Sequence, residues 1–185
     1  SASHTLGFRP NLVWGKKRNA GQNHWLINDV GDVNKWLATD NSNDEGTEAN
    51  GTTFDANGFT TASNDLFYNN GGNYVVWAWK GNGTGTAVTN ESGSLDSTVS
   101  ANTSAGISII NYQGNATSGA TFGHGLSSAP ELVIVKNRDS TAGWVSGWTA
   151  LTFEKNLVLN TTDGVGTEAV QWNNTAPSST LITLG

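Results

Sequence analysis

Apolar residues in this chain arrive in short bursts, separated by polar stretches rich in Gly, Asn, Ser and Thr. Nowhere do they keep a 3.6-residue period over the length of an ordinary helix, so the bursts read as strands. Leu12-Val13-Trp14 and Leu132-Val133-Ile134-Val135 are continuous, β-branched and aromatic, as in strands covered on both faces. The most β-prone run is Tyr74-Val75-Val76-Trp77-Ala78-Trp79-Lys80. Tyr74, Val76 and Ala78 share one of its faces, and Val75, Trp77 and Trp79 the other. Further strands are predicted at 24–27, 35–39, 52–54, 58–61, 107–112, 120–126, 143–148, 156–160, 169–172 and 179–184. The stretches 4–7 and 69–73 read as turns, and Asn57-Gly58 as a type I′ hairpin turn. The fold class is all-β.

The pattern is also written twice. Gly7-Phe8-Arg9-Pro10-Asn11-Leu12-Val13-Trp14 is echoed 120 residues later by Ser127-Ser128-Ala129-Pro130-Glu131-Leu132-Val133-Ile134. The same displacement pairs His4 with His124, Lys35 with Lys155, and Gly46-Thr47-Glu48-Ala49 with Gly166-Thr167-Glu168-Ala169. A single register held over so many positions marks an internal repeat. A first β-sandwich unit spans 1–80 and a second 106–185. Between them, 81–105 is rich in Gly, Thr and Ser and reads as a linker or extended ribbon. The units are cut at opposite ends: the 107–112 strand has no counterpart before Ser1, and the 74–80 strand none after Gly185. With no initiator Met, the chain reads as a window on a longer repetitive protein. Alternatively the two units pack as one pseudo-symmetric domain.

Composition narrows the chemistry. There is no Cys, so neither a disulfide framework nor a thiolate metal site nor a thiol nucleophile is expected. The net charge of −6 opposes nucleic-acid binding, which relies on clustered Lys and Arg. No apolar run approaches a membrane span and no signal peptide is read, so no membrane insertion is expected.

Gly7-Phe8-Arg9-Pro10-Asn11-Leu12-Val13-Trp14, Asn23-His24-Trp25-Leu26, Phe54-Asp55-Ala56-Asn57-Gly58-Phe59-Thr60 and Val75-Val76-Trp77-Ala78-Trp79-Lys80 together have a familiar look. With Gly123-His124-Gly125-Leu126 and Leu157-Val158-Leu159-Asn160-Thr161-Thr162 of the second unit, they resemble a repeated β-rich module. It occurs in virion and tail-fibre-like proteins of tailed bacteriophages, marine and cyanobacterial ones especially. The resemblance implies lectin-type, jelly-roll antiparallel sandwiches and brings no catalytic residues with it. Gly15 and Gly147 depart from the usual apolar run, which implies a bulge or an edge there.

His4 and His124 occupy equivalent places, which points to bonding a backbone group at the start of a strand. Glu48 and Glu168 are equivalent acids suited to capping a turn or pairing with Lys35/Lys155 or Arg18/Arg138. The loop Asp40-Asn41-Ser42-Asn43-Asp44-Glu45-Gly46 has the look of a calcium loop but fails EF-hand spacing. Asp40, Asp44 and Glu45 are its candidate calcium ligands, against a solvated polar loop; no other cofactor is expected. Eight tryptophans are many for so polar a chain, and most should be core. Trp14 and Trp25 are replaced in the second unit by Ile134 and Val145, which argues for burial. Trp36 is replaced by Asn156, which argues for exposure. Trp36, with Asn34 and Asn41, is therefore the candidate ligand-binding group.

The expected function is a non-enzymatic structural and adhesion module of a virion surface appendage or fibre. Its expected partners are other virion proteins and copies of itself. The alternative is a lectin-like module that binds a host surface glycan. A glycan depolymerase stands third, because glycoside hydrolysis needs two carboxyls at a set separation that spacing alone does not supply.

Overall fold

Side-chain alternation decides which face of each strand is buried. Val13 and Gly15 point inward from one strand while Leu12, Trp14 and Lys16 point outward. The computed structural model describes residues 1–48, 51–61, 67, 71–167 and 169–185. In the first half lie β1 (Ala2–Thr5), β2 (Leu12–Lys17), β3 (His24–Asn28), β4 (Lys35–Ala38), β5 (Gly46–Thr47), β6 (Thr52–Asp55), β7 (Gly58–Thr61) and β8 (Tyr74–Trp79). The rest holds β9 (Val88–Asn90), β10 (Ser97–Asn102), β11 (Ile107–Tyr112), β12 (Thr121–Gly123), β13 (Leu132–Val135), β14 (Val145–Trp148), β15 (Leu157–Val158) and β16 (Leu181–Thr183). Every pairing between these described strands is antiparallel. The all-β expectation holds.

The first half stacks a five-stranded sheet, β5-β4-β3-β2-β8, on a three-stranded one, β1-β7-β6. Val13 and Ile27 from the first meet Phe54 and Phe59 from the second, with Phe67 between them. The second half packs β13-β14-β15 against β12-β16, around Phe122, Val133, Phe153, Trp172 and Ile182. Burial of each such aromatic ring contributes roughly 1.5–3 kcal/mol.

The sheets share their pairing arithmetic. Leu12 faces Asn28 and Val13 faces Ile27; 120 residues on, Leu132 faces Trp148 and Val133 faces Gly147. Trp25↔Ala38 maps onto Val145↔Val158, and Trp36↔Gly46 onto the isolated bridge Asn156↔Gly166. The halves also touch. The Trp144 indole N–H donates to the Ala38 carbonyl at 2.9 Å, and the Ala142 amide to the Ser42 carbonyl at 2.8 Å. Arg138 pairs with Glu45.

Several expectations need correction. Of the two readings of 81–105, the linker gives way to extended chain: the segment carries β9 and β10, and Ser97, Val99 and Ser100 are buried. Small residues make this packing feasible, since a Cβ at Gly81 or Gly125 would run into Ser100 or Val99. Buried Asn11 pins its start, accepting the amides of Gly81 (2.9 Å) and Gly83 (3.1 Å) on Oδ1. Gly15 and Gly147 mark neither bulge nor edge. Both sit in regular central strands, where a Cβ would meet Phe67 or the Phe153 and Trp172 rings. His4 lies within β1 rather than in a turn. The 54–59 hairpin forms, but its loop is Ala56-Asn57 and neither has the positive φ of a type I′ turn. Gly58 is required instead by the close approach of the His4 carbonyl. The strand expected at 169–172 is a short 3₁₀ turn, Ala169–Gln171, that swings Trp172 into the core. Of the 69–73 turn, Asn69 and Asn70 lie outside the described residues.

Candidate functional site

The outward face of the five-stranded sheet is lined with tryptophan. Register places Trp14 opposite Trp77, and Leu12 opposite Trp79, on neighbouring strands. Ring centroids of Trp14 lie 5.8 Å from Trp77 and 6.4 Å from Trp79. Alternation forces this arrangement: Val76 and Ala78 of β8 pack on the core, so Trp77 and Trp79 must face away from it. Trp77 is 49% exposed, a large apolar surface to leave in water. The Trp14 indole N–H is held by the Thr39 hydroxyl at 3.0 Å, which fixes the ring plane.

Beside Trp14 the sheet and a loop of the second half enclose an open cleft of about 730 Å³. His24, Thr39 and Asp40 line it from the first half; Asn160, Thr162 and Asp163 line it from the second. Asp40 Oδ1 accepts the His24 amide at 2.9 Å, and Asn160 Oδ1 accepts the Trp144 amide at 2.9 Å. The second-half wall is thus fixed by the same Trp144 that locks the halves together. An aromatic floor beside hydroxyl, amide and carboxylate groups suits a flat ligand with one apolar face and many hydroxyls.

Trp36 is placed differently from expectation. It is half-buried, packs edge-on against Trp25 with centroids 4.6 Å apart, and lies against the first core. Its ring covers Gly46, where a Cβ would collide with it. Asn156, whose polarity suggested a surface position, is itself buried at 8% exposure. Exposed Asn34 sits in a tight turn, its amide bonded to Asp32 Oδ1 at 2.9 Å, and Asn41 Oδ1 accepts the Asn43 amide at 3.0 Å. Neither lines the cleft. The proposed calcium ligands are not gathered. Asp40 turns to the cleft, Glu45 is taken by Arg138 and by Lys35 at 3.8 Å, and Asp44 lies toward Lys136. Burial lowers the Lys136 pKa, and the Asp44 carboxylate opposes that shift. Among the described residues, no three His, Cys, Asp or Glu side chains group so as to hold a metal ion.

A family model described as a domain of unknown function (DUF7483) matches residues 1–185. The chain belongs to that family. No curated protein and no solved structure matches it. Among the described residues of this DUF7483 chain, no helix is long and apolar enough to cross a membrane.

His124 of the DUF7483 chain is fully buried just after β12. Its Nδ1 accepts the Leu126 amide at 3.1 Å, leaving Nε2–H to donate to the Ser178 carbonyl at 3.2 Å. It bonds backbone groups as read from the sequence, though at the end of a strand rather than its start, and burial holds its pKa below the ordinary value. Arg138 pairs with Glu45 instead of an acid of the Gly-Thr-Glu pair, of which Glu168 lies outside the described residues. Sequence reasoning missed Trp14 because its counterpart, Ile134, looked like a core residue. Ile134 is in fact 45% exposed, so the pair marks an outward face in both halves. The usable signal was the alternation of β8, which already set Trp77 and Trp79 apart from the core.

Proposed function

We propose that this chain is a non-enzymatic adhesion and structural module of a tailed-phage virion appendage, and that the tryptophan face is its contact surface. The ligand class is carbohydrate. The observation that carries this reading is Trp77, half-exposed on a sheet face it shares with Trp14 and Trp79. Pyranose rings present an apolar C–H face that covers such a ring, while their hydroxyls find partners at the rim. Asp40, Asn160, Thr162 and Asp163 supply such partners in the cleft beside Trp14, the ring next to Trp77. The resemblance of the sequence to phage appendage modules supports the virion setting, and the two interlocked sandwiches suit a stiff spacer.

Titration of host-surface polysaccharides against the protein, followed by tryptophan fluorescence, tests the reading. Trp77→Ala is expected to weaken binding at least ten-fold with its thermal midpoint unchanged. Trp36→Ala is expected to do the reverse, lowering the midpoint while leaving the affinity of the folded protein alone. Unaltered affinity in Trp77→Ala would remove the tryptophan face from the account. Reducing ends accumulating during incubation would make the cleft a hydrolase site, with Asp40 and Asp163 the first acids to replace.

A further inference from the structure

Independently of the tryptophan face, the second half presents an incomplete sheet. β2 is paired on both sides, with β3 and, over six residues from Leu12↔Trp79 to Lys17↔Tyr74, with β8. β13 repeats β2 in sequence and in its register to the next strand, yet stands at the rim of β13-β14-β15. Among the described residues no strand pairs with its other edge. Leu132 and Ile134 are 57% and 45% exposed there. An unpaired, apolar edge of this kind is a template for an added strand.

The edge opens on a trough. Its opposite wall is β11, also paired on one side, and its floor includes Phe122 and Ile182 of the second core. Two hollows of about 220 and 480 Å³ share Ile110, Tyr112, Val135 and Lys136, so the trough continues past the end of β13 toward Asp139. That elongated shape fits extended polypeptide better than a compact ligand. With β11 residues along its far wall, the trough suits a lone extended segment better than the rim of a second sandwich.

We propose that the β13 edge is a strand-acceptor site, completed by an extended antiparallel peptide with the chemistry of β8. The first half supplies the pattern. Opposite Val13 stands small Ala78, facing the core; opposite Leu12 and Trp14 stand Trp79 and Trp77, facing out. The occupant therefore sets a small aliphatic residue opposite Val133 and large aromatic or β-branched residues opposite Leu132 and Ile134. Main-chain bonds provide attachment and the alternating side chains provide selection.

The test uses the 185-residue chain and a fluorescent peptide, Asn-Tyr-Val-Val-Trp-Ala-Trp-Lys followed by three lysines. Saturable one-to-one binding is expected, with slowed amide hydrogen exchange confined to β13 and β11. A peptide with the alternation shifted by one residue should bind at least ten-fold more weakly, as should the Ile134→Asp protein, whose melting is checked separately. Failure of the peptide to bind folded protein at millimolar concentration would overturn the proposal, as would equal binding of the shifted peptide. So would self-association of the protein alone that Ile134→Asp disperses, since a second copy would then be the occupant.

Discussion

β2 and β13 carry the same inward valine, the same partner register and the same following lysine, yet they live in different surroundings. Behind β2, β8 closes the sheet, and Asn11 ties down the chain as it leaves. Asn11 bonds both Asp29 carboxylate oxygens (3.0 and 2.9 Å), the Thr84 carbonyl (3.2 Å) and the Gly81 and Gly83 amides. Its counterpart before β13 is Glu131, an exposed residue between Pro130 and Leu132, which line the open trough. Sequence echo thus preserves the inward half of a strand's environment, while its outer edge follows from what the chain does next.

Substitutions at equivalent positions put numbers on that contrast. Asn11→Ala leaves the buried Gly81 amide and the part-buried Gly83 amide without an acceptor and strips Asp29 of a partner, and should cost about 2–4 kcal/mol in urea unfolding. Glu131→Ala should stay within about 0.5 kcal/mol. Equal losses at the two positions would mean that the hydrogen bonds of Asn11 contribute little net stability.

This pair also shows what could be read without coordinates. The strands, their inward residues and the all-β class were visible in the alternation of β-branched, aromatic and polar positions. The role of Asn11 was not, because a buried asparagine looks like a loop asparagine until its partners, some of them 70 residues away, are known. Trp36 was misplaced for a related reason: Asn156 was judged by polarity, yet it is buried beneath a sheet rim. The 3₁₀ turn before Trp172 was hidden because a short apolar run has the same composition in either geometry.

A smaller effect is expected from making the halves more alike. Gly15→Val installs the residue found at Val135, but the new methyl groups drive into the Phe67 ring. A loss of about 1–3 kcal/mol should follow, measured by thermal unfolding. A neutral result would show that Phe67 has room to move aside.

The shallowest expected effect is titration of His124. Burial lowers its pKa from the ordinary 6.5, although the Ser178 carbonyl favours its charged form. The unfolded chain therefore binds the proton more readily. The resulting stability is fully present above the unfolded pKa and falls away as pH drops below it. Urea midpoints at pH 7.5 and 5.5 should show the decline, and His124→Gln should flatten it. An unchanged slope in that variant would assign the decline to other groups.

The indole bond from Trp144 to Ala38 spans 106 positions of sequence. During synthesis the Ala38 carbonyl must wait, solvated, until the ribosome has delivered the next 106 residues. The first sandwich can thus collapse early but can be sealed only late, and such distant closures slow folding. Shortened products ending before Trp144 would present a raw flank to their neighbours, so quality control in the producing cell should meet them as sticky, protease-sensitive species.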